Sequence, residues 1–366
     1  MRIVTVVGAR PQFIKAAPVS RLLRTPHQEM LVHTGQHYDE AMSGSFFHEL
    51  SMPDPDLNLE IGSGLHGAQT AEMLQALEPV LLEHQPDGVL VYGDTNSTLA
   101  GALAAAKIGY PGGRRPWLAH VEAGLRSFNR AMPEEVNRVV TDHLADLLLA
   151  PTPAAMGQLR AEGLADRAEL VGDVMADAVF WAGDQADLHL PSQAVKRPGF
   201  LLLTLHRAEN VDDPRLLADW LAMLPNDRPV IWPIHPRTAA ALAGGGAEPG
   251  PNVTVIDPVG YLAMLALERA SAAVVTDSGG VQKEAYLAGV PCITLRTETE
   301  WVETVEAGWN RVAGHEPEAV RQALSDPQFM DRSRPRPELF GDGHAATRVV
   351  AALERLDASH LRGRAP

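Results

Sequence analysis

Charged and hydrogen-bonding residues recur in one setting along this chain, directly after short apolar runs. VVTDSGGVQKEA places Asp277 and the turn Ser278-Gly279-Gly280 there, VLVYGDTN places Asp94, and WLAHVEAGLR places Glu122 and Arg126. VVGARPQFIK contributes Arg10 and Lys15, LLLTLHRAEN contributes His206, and VIWPIHPRT contributes His235. The Ser-Gly-Gly turn is the most specific of these. Glycines let backbone approach an anion closely, and a helix beginning near Val281 directs free N–H groups at it. Glu284 lies one turn along that helix, where a carboxylate can accept from ribose hydroxyls. Phosphate together with ribose means a nucleotide.

Each of these residues also has a plain structural use. Asp94 and Asp277 are good helix caps. Glu134 and Glu135 follow Pro133, where acids suit the start of a helix. His206 and His235 fit a polar core equally well. The nucleotide is not held by a P-loop, because G-x-x-x-x-G-K-[ST] is absent. Nor does a G-x-G-x-x-G fingerprint follow the first apolar run, and no H-x-H or H-E-x-x-H cluster suggests a metal. No cofactor is expected.

The elements that must position these groups are parallel strands and covering helices. Strands are expected at Ile3–Val7, Met30–Thr34, Gly88–Tyr92, Trp117–Val121, Leu147–Ala150 and Ala168–Val171. A second series is Phe200–Leu205, Val230–Ile234, Val253–Ile256, Ala272–Thr276 and Cys292–Leu295. Helical periodicity fills the gaps, as at Pro11–Arg24, Thr70–Glu83, Thr95–Ile108 and Glu134–Leu144. Continuous apolar strands separated by helices mean sheets covered on both faces, and ligands then bind beyond the carboxyl ends of the strands. The expected fold is α/β, with two Rossmann-like, doubly wound parallel-sheet domains and a cleft between them. Their limits read as 1–171 and 172–344, with GDQADLHLPSQAVKRPG as the connection and the amphipathic segment HAATRVVAALERL near the end.

Composition narrows the function classes. With 366 residues, two domains are the natural division. A net charge of −15 argues against a nucleic-acid partner, which needs a basic footprint. The single cysteine, Cys292, excludes a disulfide framework and reads as a buried thiol. No stretch approaches the roughly 18 apolar residues of a membrane span, and Met1 leads straight into a strand, so a cytoplasmic location without a membrane partner is expected.

These segments, with HTGQHYDEAM, MPEEVNR and GDGHAATRVV, resemble the non-hydrolysing UDP-N-acetylglucosamine 2-epimerase family from Met1 to about Leu356. The resemblance implies a GT-B-type arrangement. A UDP-sugar occupies the interdomain cleft, and a C-terminal helix, 345–366, crosses back to the first domain. It also implies a homodimer. C2 of an N-acetylhexosamine is not acidic, so the family first breaks C1–O and releases UDP, which makes the C2 hydrogen acidic. The resulting 2-acetamidoglucal is reprotonated on its other face and UDP re-adds. Asp94, Glu122 and Glu134 match the family's catalytic carboxylates. Arg10, Lys15, His206 and the Ser278, Gly279 and Gly280 amides are implied for the diphosphate, with His206 as a possible acid toward it. Glu284 is implied for the ribose, Gln282 for ordering the loop, and Met264, in Tyr261–Leu265, for uracil.

Two segments depart from the family pattern. Where many members carry TERPE, this chain has Thr299-Glu300-Trp301-Val302-Glu303. After the Gln36-His37 pair it has Tyr38-Asp39-Glu40 and lacks an Arg that helps many members bind an activating UDP-N-acetylglucosamine. Both changes resemble the subgroup that includes 2-epimerases of UDP-2,3-diacetamido-glucuronate. A C6 carboxylate there would want a cation such as Arg126 or Arg130. Rival classes are a GT-B glycosyltransferase, a hydrolysing epimerase and a non-catalytic UDP-sugar sensor.

Overall fold

The structure is a computed structural model that describes residues 1–36, 47–245 and 247–362. Tyr38-Asp39-Glu40, and with it the expectation about the activating nucleotide, lies outside the described residues. The chain divides into two compact units, Met1–Phe180 with Phe340–Pro366, and Trp181–Leu339.

The first unit holds a parallel sheet of seven strands in the order β3-β2-β1-β4-β5-β6-β7. These are β1 (Arg2–Val7), β2 (Gln28–His33), β3 (Leu57–Asn58), β4 (Gly88–Tyr92), β5 (Trp117–Val121), β6 (Leu147–Ala150) and β7 (Ala168–Leu170). The second unit holds six parallel strands in the order β10-β9-β8-β11-β12-β13. They are β8 (Leu201–Thr204), β9 (Val230–Pro233), β10 (Val253–Ile256), β11 (Ala273–Thr276), β12 (Cys292–Thr294) and β13 (Asn310–Val312). The expected doubly wound α/β class is what the chain adopts.

The sheets are buried on both faces because side chains alternate across a strand. Leu201 and Leu203 enter one apolar cluster with Trp220, Trp232 and Val320. Phe200 and Leu202 enter another on the opposite face with Ile231, Leu267 and Cys292. Hence these strands read as unbroken apolar runs. Burial also pushes the Cys292 thiol well above its usual range, so it is an inert core group.

Three stretches differ from the sequence reading. The edge strands β3 and β13 were not expected; they are only two and three residues long and carry partly exposed side chains. The stretch after Gly172, read as a connection, is largely helical: Val174–Ala186 forms a helix, followed by a short 3-10 turn at Asp187–His189. Apart from these, the Pro-rich stretch after Ser325 holds no long element and is pinned by the Arg334 guanidinium 4.0 Å over the Trp309 ring.

The helix Ala345–Arg362 packs on the Arg10–Leu23 helix and on β5 within the first unit. Its start is held by Asp177, which accepts from the Ala345 and Ala346 amides at 3.1 and 2.7 Å. Trp117 Nε1 donates to Asp357 at 3.1 Å, and Arg355 pairs with Glu169 at 2.6 Å.

Candidate active site

Strand order reverses between β1 and β4 in the first sheet and between β8 and β11 in the second. At such a switch point the loops leave in opposite directions and open a crevice for a ligand. The groups singled out in the sequence cluster at these two points.

In the first unit, β1 runs into Gly8-Ala9 and then the helix Arg10–Leu23. A Cβ at Gly8 would fall 2.1 Å from both Ser97 Oγ and Thr34 Oγ1, so only glycine permits this close approach. Gln12 ties the strand ends together. Its Oε1 accepts from the Gly8 and Ala9 amides at 2.8 and 3.0 Å, while its Nε2 donates to Tyr92 O at 2.9 Å. Arg10, the first helical residue, is half-buried. Lys15, one turn further, is buried and ion-pairs with the buried Glu122 carboxylate.

Glu122 follows β5 with φ 72°, a left-handed conformation that costs a non-glycine residue on the order of 1 kcal/mol or more. Its neighbour at the end of the adjacent strand β4 is Gly93, at φ 61°. A Cβ there would lie 3.1 Å from Lys15 Nζ and 3.4 Å from Glu122 Oε2. Asp94, next along, is about a third exposed and lies 3.2 Å from Arg138 Nη2. Arg138 Nε in turn donates to the Glu134 carbonyl at 3.3 Å. Lys15 and Glu122 thus meet beside Gly93, the neighbour of Asp94 in the chain, and Arg138 joins the Asp94 carboxylate to the backbone carbonyl of Glu134.

Asp94 is not the cap of the next helix. Thr95 is, accepting from Thr98 N at 3.4 Å. The adjacent acids of Pro133-Glu134-Glu135 separate as well. Glu135 is buried and accepts from the Ser127 and Phe128 amides at 2.9 and 3.0 Å, so it shapes the loop, whereas Glu134 is exposed.

Beneath this point runs a buried chain that sequence reasoning missed. His120 Nε2 bonds Gly93 O and His120 Nδ1 bonds Asp142 Oδ1, each at 2.7 Å. An oxygen thus faces each ring nitrogen. Asp142 also pairs with Arg126 at 2.8 Å, and Arg126 pairs with Glu162 at 2.7 Å. Burial pushes the Asp142 carboxyl upward, but His120 and Arg126 together hold it below its usual range. The suggestion that Arg126 serves a substrate carboxylate is therefore corrected: its side chain is 2 % exposed and committed to two acids. Arg130 is exposed.

In the second unit, Thr204 and Thr276 hydroxyls join the ends of β8 and β11 at 2.5 Å. Asp277 is fully buried, so it is neither a rim acid nor the helix cap. It accepts from the His206 and Arg207 amides at 3.0 and 2.9 Å and from Asn210 Nδ2 at 3.1 Å. It also lies 2.8 Å from His206 Nδ1. Burial raises its affinity for a proton, yet the His206 contact and these amides hold its carboxyl below the usual range. His206 is consequently fixed by Nδ1 while its ring stays 39 % exposed. His235 is exposed and caps its helix, Nδ1 accepting from Arg237 N at 3.2 Å.

Ser278 caps the helix Gly279–Leu287, whose first turn directs N–H groups past Gly279 and Gly280. The departing segment at Thr299–Glu303 packs against this turn. Trp301 Nε1 donates to Gly279 O at 2.9 Å, and Glu300 pairs with Arg296 at 2.9 Å. Lys283, buried, lies 4.1 Å from the Trp301 ring centroid. Gln282 is buried too. Its Oε1 accepts from Thr299 Oγ1 at 2.6 Å and from Asn310 Nδ2 at 3.1 Å, so it anchors the loop from within. Glu284 is buried, and the helix Tyr261–Ala270 carries the buried Glu268 and the half-buried Met264.

Comparison with known proteins accords with this geometry. The family described as UDP-N-acetylglucosamine 2-epimerase matches residues 21–354. A Pseudomonas aeruginosa UDP-2,3-diacetamido-2,3-dideoxy-D-glucuronate 2-epimerase is 46% identical, covering 97% of this chain and 100% of its own. A Methanococcus maripaludis UDP-N-acetylglucosamine 2-epimerase is 43% identical, covering 94% and 96%. The crystal structure of Methanocaldococcus jannaschii UDP-GlcNAc 2-epimerase in complex with UDP-GlcNAc and UDP superposes with a TM-score of 0.88 at 41% identity, covering 97% and 100%. Matched over nearly its whole length by the family model and by these relatives, the chain belongs to the UDP-N-acetylglucosamine 2-epimerase family.

Proposed function

We propose that this protein inverts C2 of a UDP-N-acetylhexosamine, interconverting UDP-N-acetylglucosamine and UDP-N-acetylmannosamine by anti elimination of UDP and re-addition to 2-acetamidoglucal. The observation that carries this reading is the buried Lys15–Glu122 pair at the first switch point, packed against the turn that bears Asp94. A hydrogen on C2 becomes acidic only as C1–O breaks, so the enzyme needs a held leaving group and more than one acid or base. Asp94, Glu122 and Glu134 supply the second requirement. The Ser278-Gly279-Gly280 turn, His206, Arg10 and Lys15 supply the first. With Nδ1 fixed by Asp277, the His206 ring turns Nε2 toward the departing diphosphate. Glu284 accepts from the ribose and Met264 contacts uracil. No nicotinamide is required, because no electrons leave the sugar.

A second reading, 2-epimerisation of UDP-2,3-diacetamido-glucuronate, is favoured by the identity to the Pseudomonas relative and by Trp301 beside the glycine turn. The exposed Arg130 is then the cation for the C6 carboxylate. We place the enzyme in the cytoplasm, supplying nucleotide sugars for polysaccharide biosynthesis. No helix among the described residues is long and apolar enough to cross a membrane. We also propose a homodimer, with exposed Leu22, Leu65 and Leu82 on the first unit as its apolar contacts.

Incubation of the purified protein with each UDP-sugar in deuterated water tests the reading. An epimer carrying deuterium at C2, without free UDP accumulating, is the expected product. UDP plus free sugar would make it a hydrolase, and no change with either sugar would return the glycosyltransferase and sensor classes to the front.

A further inference from the structure

The turn Ser278-Gly279-Gly280 is half-buried, and its paired glycines give the backbone more conformational freedom than other residues would. Amides that hold an anion bind it better when they are ordered before it arrives. The turn therefore needs a hold from outside itself, and the segment that follows β12 supplies one. The buried Trp301 indole donates from Nε1 to the Gly279 carbonyl at 2.9 Å. Gly279 O and Gly280 N–H belong to one planar peptide and point in opposite directions, so a donor fixed on the carbonyl also fixes where the amide points. Trp301 is itself well held. Its amide donates to Thr299 Oγ1 at 3.1 Å, its carbonyl accepts from Thr304 Oγ1 at 2.7 Å, and the buried Lys283 ammonium lies 4.1 Å from its ring centroid. Thr299 Oγ1 donates in turn to Gln282 Oε1 at 2.6 Å, inside the helix that the turn begins. A Cβ at Gly279 would meet Glu300, Arg296 and Trp301 only at 3.7 to 3.8 Å, so the segment holds the glycine by its hydrogen bond and does not press on it.

We propose that Trp301 is a positioning residue for the diphosphate: by holding the Gly279 carbonyl it keeps the Gly280 amide aimed at the anion before the nucleotide binds. This rests on the reading of the Ser278-Gly279-Gly280 turn as the diphosphate site. A phenylalanine at 301 would fill the same place with an aromatic ring, but it would leave the Gly279–Gly280 peptide to be ordered by the ligand. The role falls in Thr299–Glu303, the segment in which this chain departs from many of its relatives, and it gives that departure a use in nucleotide binding.

Affinities for UDP by calorimetry and for uridine by ligand-observed NMR titration test the proposal, with thermal melts to confirm folding. Wild type should bind UDP more tightly than uridine. Trp301→Phe, which keeps a ring beside Lys283 and removes the N–H, should weaken UDP about tenfold, the upper worth of one hydrogen bond between neutral groups, and leave uridine within about twofold. Equal weakening of both ligands, or of neither, overturns the positioning role alone. Should the phenylalanine variant not fold, Thr299→Val decides. It removes the acceptor of the Trp301 amide and the donor to Gln282 with little change of shape, and it should show the same selective loss of UDP affinity, about threefold or more. Equal effects on the two ligands there, or none, again overturn the role. A wild type that binds uridine as tightly as UDP overturns the diphosphate reading of the turn and this inference with it.

Discussion

Glu122 keeps its strained backbone because Lys15 and the β6 edge hold it from both sides: its amide donates to Leu149 O at 3.1 Å. Strain of this kind, retained beside a charged pair, marks a group whose placement matters. Asp94 is about a third exposed and faces Arg138. Asp94→Asn is expected to lower turnover by at least a factor of about 100 while UDP-sugar affinity stays within a few-fold, because it removes a proton-transfer group and little bulk. Turnover within tenfold of wild type would remove Asp94 from the chemistry. Asp277 carries a pH prediction. Its folded carboxyl sits below the ordinary aspartate range, so the stability it contributes is present above that range and is lost as pH falls through the folded value. Denaturation measured from neutral pH down to about 3 should show a shallower acid loss in Asp277→Asn than in wild type, the ordinary aspartate value being about 3.9. From the sequence Asp277 reads as a cap or a rim acid. Its actual partners, His206 to Asn210, lie some 70 residues earlier in the chain, beyond the reach of local pattern.

At the scale of elements, the chemistry hangs on short turns after strands, and the strands were legible because both faces of each sheet are buried. The edge strands β3 and β13 were not, since too few residues remain to form an apolar run. The helix Val174–Ala186 was masked by GDQAD, which reads as loop although most of the helix faces the core. The Ser278-Gly279-Gly280 turn could be read from its glycines, whereas the Trp301 and Lys283 contacts behind it could not, because they join segments separated in sequence. The His120–Asp142–Arg126 chain was hidden for the same reason. It tethers the Gly93 carbonyl to the Pro133–Leu144 helix, which carries both Asp142 and Glu134. Asp142→Asn should cost about 3 kcal/mol or more, since it leaves the buried Arg126 and His120 hydrogens facing a neutral amide. Urea denaturation monitors this; a loss under about 1 kcal/mol would show that the chain is not a structural tether.

Across the whole molecule, two units of related architecture carry different chemical burdens. The first gathers carboxylates and a lysine at its switch point, and the second gathers a glycine turn and a histidine held by a buried aspartate. With a net charge of −15, the protein gives polyanions no broad cationic footprint. Neither set completes a 2-epimerisation alone: acids without a held leaving group face a C2 hydrogen that is not acidic, and a phosphate site without acids only binds. The fold class and most residues of both sets were visible in the sequence because they follow strands. The ion pairs that fix their orientation were not.

The claim that the sugar–UDP bond breaks during each epimerisation is open to direct test by positional isotope exchange. UDP-N-acetylglucosamine, or the diacetamido-glucuronate if that is the sugar turned over, is prepared with oxygen-18 bridging C1 and the β-phosphorus and followed by phosphorus NMR. Elimination and re-addition predict movement of the label into the non-bridging β-phosphate positions alongside deuterium uptake at C2. Deuterium at C2 with the label held in the bridge would mean that C1–O never opens, and would contradict the account.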